Sequence, residues 1–395
     1  MAFLTAERII ATALGLLRRE SALPATLWRD VSPDAFNGAA GDVVNVRLPA
    51  YAPARTRDLR SGTTRTKDKL NERKVAVALT TDIYKDVGIS DEEMNLDIAD
   101  FGAQVLTPIT NGVVEEITSQ VASAMSAAAY ANEIGFTYAS DDAWKDLILP
   151  SNELLNRAHV PKINRTLAVG AAIETALLST DLFVKANESG GTTVLEEATM
   201  GRKAGFTVLS APELAPDEAF AYHRTAYALV NKAPAVPTGA AFGAMRAFQG
   251  FAMRVVRGFD LDTVEDRTIF DSWLGVTPVT DEGFFDANGI WVPAEETLGS
   301  EIAIQLSAAA DDIIDATAHG FVAGDPVVFT ALTGGAGLTV GQVYYVIAAN
   351  LTADDFQVSE TPGGGAALFT TDITAGTVRS GGGVQFVRAV KITGS

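Results

Sequence analysis

The chain has 395 residues, 47% of them hydrophobic, which is enough to bury cores in two or three domains. It has no cysteine, so disulfides, thiol nucleophiles and thiolate metal ligands are excluded, a composition that suits a reducing cytoplasm. Its formal net charge of −19 argues against a protein built to grip nucleic acid, because phosphate contact supplies most of that affinity. The same charge suits both plain solubility and a container whose wall must not hold DNA.

At the N-terminus an apolar run, Ile9 to Leu17, is flanked by Glu7, Arg8, Arg18 and Arg19. It is far shorter than the roughly 20 residues that span a bilayer, and no small-residue cleavage site follows it. The spacing predicts an amphipathic helix over residues 4–20, with Ile9, Leu14 and Leu17 on one face. No later stretch is long and apolar enough for a membrane.

Further on, Val44, Val46 and Leu48 alternate with Asn45 and Arg47, and Val75, Val77 and Leu79 alternate with Ala76, Ala78 and Thr80. Period-two alternation predicts two strands, each with one buried face. Between and at the edge of these strands lie Arg55, Arg57, Arg60, Arg65, Lys67, Lys69, Arg73 and Lys74, against only Asp58, Asp68 and Glu72, a local excess of +5. A long polar tip of this kind has too little apolar surface to fold alone. It reads either as an extended β-hairpin arm that orders itself against an acidic surface, or as a solvated basic loop.

Ser90-Asp91-Glu92-Glu93 has the form of a capping box, in which Ser90 and Glu93 satisfy each other's backbone amides. Beyond it Ile98, Phe101, Val105, Ile109, Val113, Ile117, Val121, Ala124 and Ala128 follow helical spacing. Pro108 should kink this long helix or restart it. Glu115, Glu116 and Gln120 along it argue against a membrane span.

Residues 144–260 read as mixed α/β. Helices are predicted at Trp144–Ala158, Ala171–Leu178, Thr180–Ala186 and Ala241–Phe248, and strands at Arg165–Val169, Thr207–Ser210, Tyr227–Asn231 and Phe251–Val256. The turn Gly201-Arg202-Lys203-Ala204-Gly205-Phe206 raises phosphate binding, but it precedes a strand instead of opening a helix, so a structural turn is expected. His159, His223 and His319 are far apart without ligand-like neighbours, and His159 is expected to cap a helix end. Asp91, Glu92 and Glu93 read as capping groups, and Asp311, Asp312 and Asp315 as a solvated turn. No HExxH, P-loop or GxSxG pattern occurs. No catalytic, cofactor or metal site is expected, and the chain does not read as an enzyme.

From Glu301 the composition shifts: the last 95 residues hold 14 of the 35 glycines and three basic residues, Arg379, Arg388 and Lys391. Strands are predicted at Ile302–Leu306, Asp312–Thr317, Pro326–Ala331, Gln342–Ala348, Phe356–Ser359 and Ala367–Thr370, separated by glycine-rich turns. Short strands at regular spacing suggest a small β-sandwich or barrel.

Taken in order, the helical N-terminal arm, basic hairpin, Ser90–Glu93 box and long helix with Pro108 near its start resemble the major capsid proteins of tailed bacteriophages with the Hong Kong 97 fold, in the branch of some short-tailed phage coat proteins. Two local stretches add to the resemblance: Arg254-Val255-Val256-Arg257-Gly258-Phe259-Asp260 before Asp266-Arg267-Thr268-Ile269-Phe270-Asp271, and Val387-Arg388-Ala389-Val390-Lys391-Ile392 as the family's final strand. The resemblance covers about residues 1–292 and 384–392. It implies an α+β chain with an N-terminal arm (1–40), an extended β-hairpin loop (41–85), and a capsid core of peripheral and axial domains (86–295 with 382–395) in which the long helix is a spine. Residues 296–381 depart from the family pattern and are expected to be an inserted all-β module.

By the same resemblance, the eight basic residues of the loop would touch a neighbouring subunit. The chain would assemble through pentamers and hexamers into an icosahedral head in the virion, built in the host cytoplasm. Its partners would be copies of itself, a portal, a scaffolding protein, and packaged DNA without sequence-specific contact. Two alternatives stay open. An encapsulin-like compartment shares the fold but carries protein cargo. A tail or adhesion protein, suggested by the β module alone, would bind cell-surface glycans as a trimer.

Overall fold

The computed structural model describes residues 22–29, 43–48, 59–60, 73–90, 107–138, 143–179, 201–240, 242–248, 251–260, 265–286, 288–293 and 300–394. The expected helices over 4–20 and Thr180–Ala186, and residues 91–106 with most of the capping box, lie outside these. The chain divides into two compact units, residues 1–127 with 227–279 and residues 128–226 with 280–395.

The first unit is a twisted sheet backed by one helix. Strands run in the order Phe242–Phe248, Phe251–Asp260, Glu265–Pro278, Thr81–Ser90, and Tyr227–Lys232 pairs the far end of Glu265–Pro278. The helix Thr107–Ala127 packs on Glu265–Pro278 and Thr81–Ser90. Its buried stripe is Ile109, Val113, Ile117, Val121 and Met125, facing a sheet surface that includes Ile83, Met253, Val255, Phe270 and Leu274. Glu115 and Glu116 are exposed, and Gln120 Nε2 donates to Glu116 Oε1 at 2.8 Å. Pro108 stands in the first described turn of this helix, and its expected effect as a kink or a restart involves residues outside those described.

Two expectations for this unit are corrected. Residues 242–248 form a strand, not a helix. They pair with Phe251–Asp260 from Phe242↔Arg257 to Phe248↔Phe251, and this continuous ladder overrides the helix preference of Ala244, Met245 and Arg246. Ser90 ends a ten-residue strand, Thr81–Ser90, that the sequence did not disclose. Arg254–Asp260 and Asp266–Asp271, the halves of one stretch that carries the family resemblance, are partners in one ladder, from Arg254↔Asp271 to Asp260↔Glu265, and Arg254 Nε donates to Asp271 Oδ1 at 2.9 Å.

The second unit has a six-stranded sheet in the order Glu133–Phe136, Ala389–Gly394, Glu218–His223, Arg165–Val169, Phe206–Ser210, Arg202–Lys203. The last strand of the chain thus lies inside the sheet, parallel to Glu133–Phe136 and antiparallel to Glu218–His223. Helices Ala143–Arg157 and Ala171–Leu178 cover it through Leu147, Leu155, Ile173 and Leu177, packed on Leu167, Val169, Phe206 and Ile392. His159 closes the first helix in the left-handed conformation (φ 55°), its N–H donating to Asn156 O. Ala204 and Gly205 both have positive φ in a tight hairpin turn between Arg202–Lys203 and Phe206–Ser210, so this turn is structural.

Residues 302–380 form a separate six-stranded antiparallel sheet, in the order Ile302–Ile304, Ile373–Ser380, Pro326–Gly334, Val343–Ile347, Asp355–Ser359, Ile314–Asp315. The sheet curls until its end strands meet, with Gln305 N–H donating to Asp315 O at 2.8 Å. This is a nearly closed barrel, not a sandwich. Val327, Phe329, Tyr344, Val346, Phe356 and Val378 fill its interior. Ala367–Thr370 is not a strand: Phe369 is buried in the interior cluster and its N–H is held by Asp312 Oδ1. The true strand, Ile373–Ser380, was hidden by its Thr, Ala and Gly content and by two register shifts along its partner.

The acidic groups of this barrel serve its turns. Asp325 Oδ2 accepts from Val322 N, Asp354 Oδ1 from Ala318 N and Asp372 Oδ1 from Ala309 N, each at 2.7–2.8 Å. His319 is buried between Phe321 and Phe356, its Nδ1 accepting from Phe321 N–H. A three-stranded stem, Trp291–Pro293, Asp281–Phe285 and Gly383–Gln385, carries the chain into and out of this stretch. Pro293 and Gly383 both lie opposite Gly283, on its two sides, and so stand about 10 Å apart.

Candidate assembly interface

The candidate interface starts from the two strands that flank the basic stretch. Strands Val43–Leu48 and Arg73–Ala78 pair antiparallel in the register Val44↔Val77, Val46↔Val75 and Arg47↔Lys74. One face is apolar: Val44, Val46 and Val77 are buried with Ala228, Val230 and Val279, and Val75, Leu79 and Trp28 pack beside them. The expected alternation therefore seats the ribbon on the first unit. The opposite face is open, with Asn45, Arg47, Lys74, Ala76 and Ala78 exposed.

Among the eight basic residues singled out in the sequence, the structure describes Arg60, Arg73 and Lys74. Arg60 lies in an exposed turn with Leu59, which is 96% exposed, and Arg73 and Lys74 begin the second strand. Arg55, Arg57, Arg65, Lys67 and Lys69 lie outside the described residues. The residue that charge counting missed is Arg47, directly across from Lys74. Its signal was the polar phase of the Val44–Val46–Leu48 alternation. The ladder thus sets two cations side by side on the exposed face of the ribbon. Each exposed ion pair would contribute only about 0–1 kcal/mol.

One glycine fixes how closely the ribbon sits. A Cβ on Gly275 would stand 2.3 Å from Ala78 O and 3.1 Å from Val77 Cγ1. Gly275→Ala should therefore lift the ribbon from its seat, costing about 1–3 kcal/mol. Deuterium uptake over residues 73–79 should rise in that variant, and unchanged uptake would show that the close approach is dispensable.

Among the described residues no group of three His, Asp or Glu side chains could hold a metal ion, and no helix is long and apolar enough to cross a membrane.

The chain is α+β, and several of the solved structures it is similar to are described as capsids or as a virus-like particle. It is similar to a structure of Mycobacterium phage Che8 (18% identity over 66% of this chain and 88% of that one, TM-score 0.49) and to the capsid of cyanophage P-SCSP1u (10% identity, 61% and 81%, TM-score 0.45). It is also similar to a virus-like particle from Pyrococcus furiosus (11% identity, 69% and 94%, TM-score 0.40). No protein-family profile and no curated protein matches the chain.

Proposed function

We propose that this chain is the major coat protein of a tailed bacteriophage. It assembles through pentamers and hexamers into an icosahedral head around double-stranded DNA, with a portal and a scaffolding protein as further partners. Its role is structural, not catalytic. The observation that carries this reading is a cationic ribbon, Arg47 opposite Lys74, rooted by a valine face on a chain of net charge −19. A second copy offers such a ribbon the acidic surface it calls for. Many weak contacts repeated around a closed particle supply cohesion that single pairs do not. The same net charge lets the wall enclose DNA without binding its sequence.

The test is charge reversal. Arg65→Glu, Lys67→Glu and Lys69→Glu together should abolish or strongly reduce shells seen by negative-stain microscopy, while circular dichroism of the subunit stays unchanged. Assembly of the unaltered chain should also weaken as salt rises. Normal shells from the triple variant would overturn the electrostatic arm. Particles that hold protein cargo and never a genome would overturn the phage-head reading in favour of a compartment.

A further inference from the structure

The chain passes between the two units at residues 127/128, 226/227 and 279/280. Within the second unit, residues beside the last two of these crossings are tied to each other. Arg388 donates to both oxygens of Asp281 (Nε to Oδ2, 2.5 Å; Nη2 to Oδ1, 2.6 Å), and its Nη1 donates to Thr225 Oγ1 at 2.9 Å. One guanidinium thus grips Thr225 and Asp281, each two positions from a crossing.

His223 completes the arrangement. Its Nδ1 lies 2.8 Å from Thr225 Oγ1 and accepts from Thr225 N–H at 3.2 Å, and its own N–H donates to Arg388 O. Because Thr225 Oγ1 accepts from Arg388, its hydrogen is free for His223 Nδ1. The Thr225 N–H also points at Nδ1, which as its acceptor is unprotonated. Adding a proton there would set it against the Thr225 N–H.

The surroundings oppose that proton. Arg165 faces His223 across the ladder, Arg388 comes from the segment before the last strand, and Arg224 follows on the same turn. The Asp281 carboxylate is engaged by Arg388, and the Ile163 carbonyl meets the ring from the adjoining loop. Burial, then Arg388 and Arg165, hold the His223 imidazole below its ordinary value.

We propose that His223, Thr225, Arg388 and Asp281 form an acid-released clasp that, within the second unit, binds together two of the three chain segments that link the units. The sign follows from linkage. A neutral imidazole stabilises the fold at any pH above the unfolded value of about 6.5, and this contribution is lost as pH falls through the lower folded value.

Hydrogen exchange of the full chain at pH about 8 and about 5, corrected for intrinsic rates, tests the clasp. Protection of residues 223–227 and 280–282 should drop about tenfold or more in acid. His223→Asn places a non-titrating oxygen where Nδ1 stands and should keep protection at both pH values. Thr225→Val should lose it at both. An identical acid loss in the His223→Asn variant, or no loss in the unaltered chain, would overturn the proposal. Should the Asn variant fail to fold, an NMR titration of the native His223 ring decides: a midpoint at or above that of a free imidazole sinks the clasp.

Discussion

Replacing Arg165 with methionine should destabilise the second unit by about 3–5 kcal/mol, the range for breaking a buried charged network. Arg165 is 1% exposed, yet the acceptors around it are neutral: Pro161 O (3.0 Å), Asn152 Oδ1 (2.6 Å), Asn156 Oδ1 (3.0 Å) and Val160 O (2.5 Å). All four belong to the last turns of helix Ala143–Arg157 or the residues just after it, where carbonyls lack intrahelical donors and the helix dipole is negative. The guanidinium also lies over the Phe206 ring, 5.9 Å from its centroid. Burial lowers the pKa of Arg165, but not enough to discharge a guanidinium at physiological pH.

Methionine would fill much of the space and leave these acceptors without donors. Lysine keeps the charge but presents its donors from one point, so Arg165→Lys should restore only part of the loss. Urea unfolding followed by circular dichroism measures both. A methionine variant within about 1 kcal/mol of the native protein would show that the helix end does not depend on this cation.

The second large effect concerns the barrel. Removing residues 296–381 leaves Ala294, Glu295 and Gly382 to join Pro293 to Gly383. Three residues reach about 13 Å, more than the roughly 10 Å between those two positions on either side of Gly283. The cut forfeits the hydrogen bond from Phe285 N–H to Tyr345 Oη (3.1 Å) and uncovers Phe284, which packs on Val328, Val343 and Tyr345. The barrel interior is otherwise its own, and the neighbouring sheet draws its core from Phe136, Leu167, Phe206 and Ile392. The shortened chain should therefore fold and still form particles, at a modest cost in stability. Sedimentation and circular dichroism would report failure directly, as an unfolded or aggregated product.

Much of this architecture could be read from the residues, and the misreadings share a cause. Arg165–Val169 stood out because every residue in it is buried, and Ala171–Leu178 because a helix-forming run follows Gly170. Thr81–Ser90 escaped notice because Ile83 and Val87 are spaced as on a helix and Asp82, Lys85 and Asp86 mask its alternation. Its strand state comes from Glu265–Pro278, whose partner residues are far away in sequence. Phe242–Phe248 erred in the same way. The foot of the arm was legible because its valines alternate cleanly. Arg47 was not counted with the cationic set, since it is separated from Lys74 by 26 intervening residues and only pairing brings them together. The clasp around His223 is likewise invisible in one dimension, because Thr225, Asp281 and Arg388 meet only through the sheet.

The valine face at the foot of the arm has a geometric corollary. Sliding one strand by a single residue would turn Val44 and Val46 outward and push Asn45 and Arg47 into the apolar cluster. The heading at which the chain leaves Leu48 and returns at Arg73 is thereby fixed before any neighbour arrives. Copies assembled as proposed would all present this ribbon in one register, the sameness that identical pieces need in order to tile a surface.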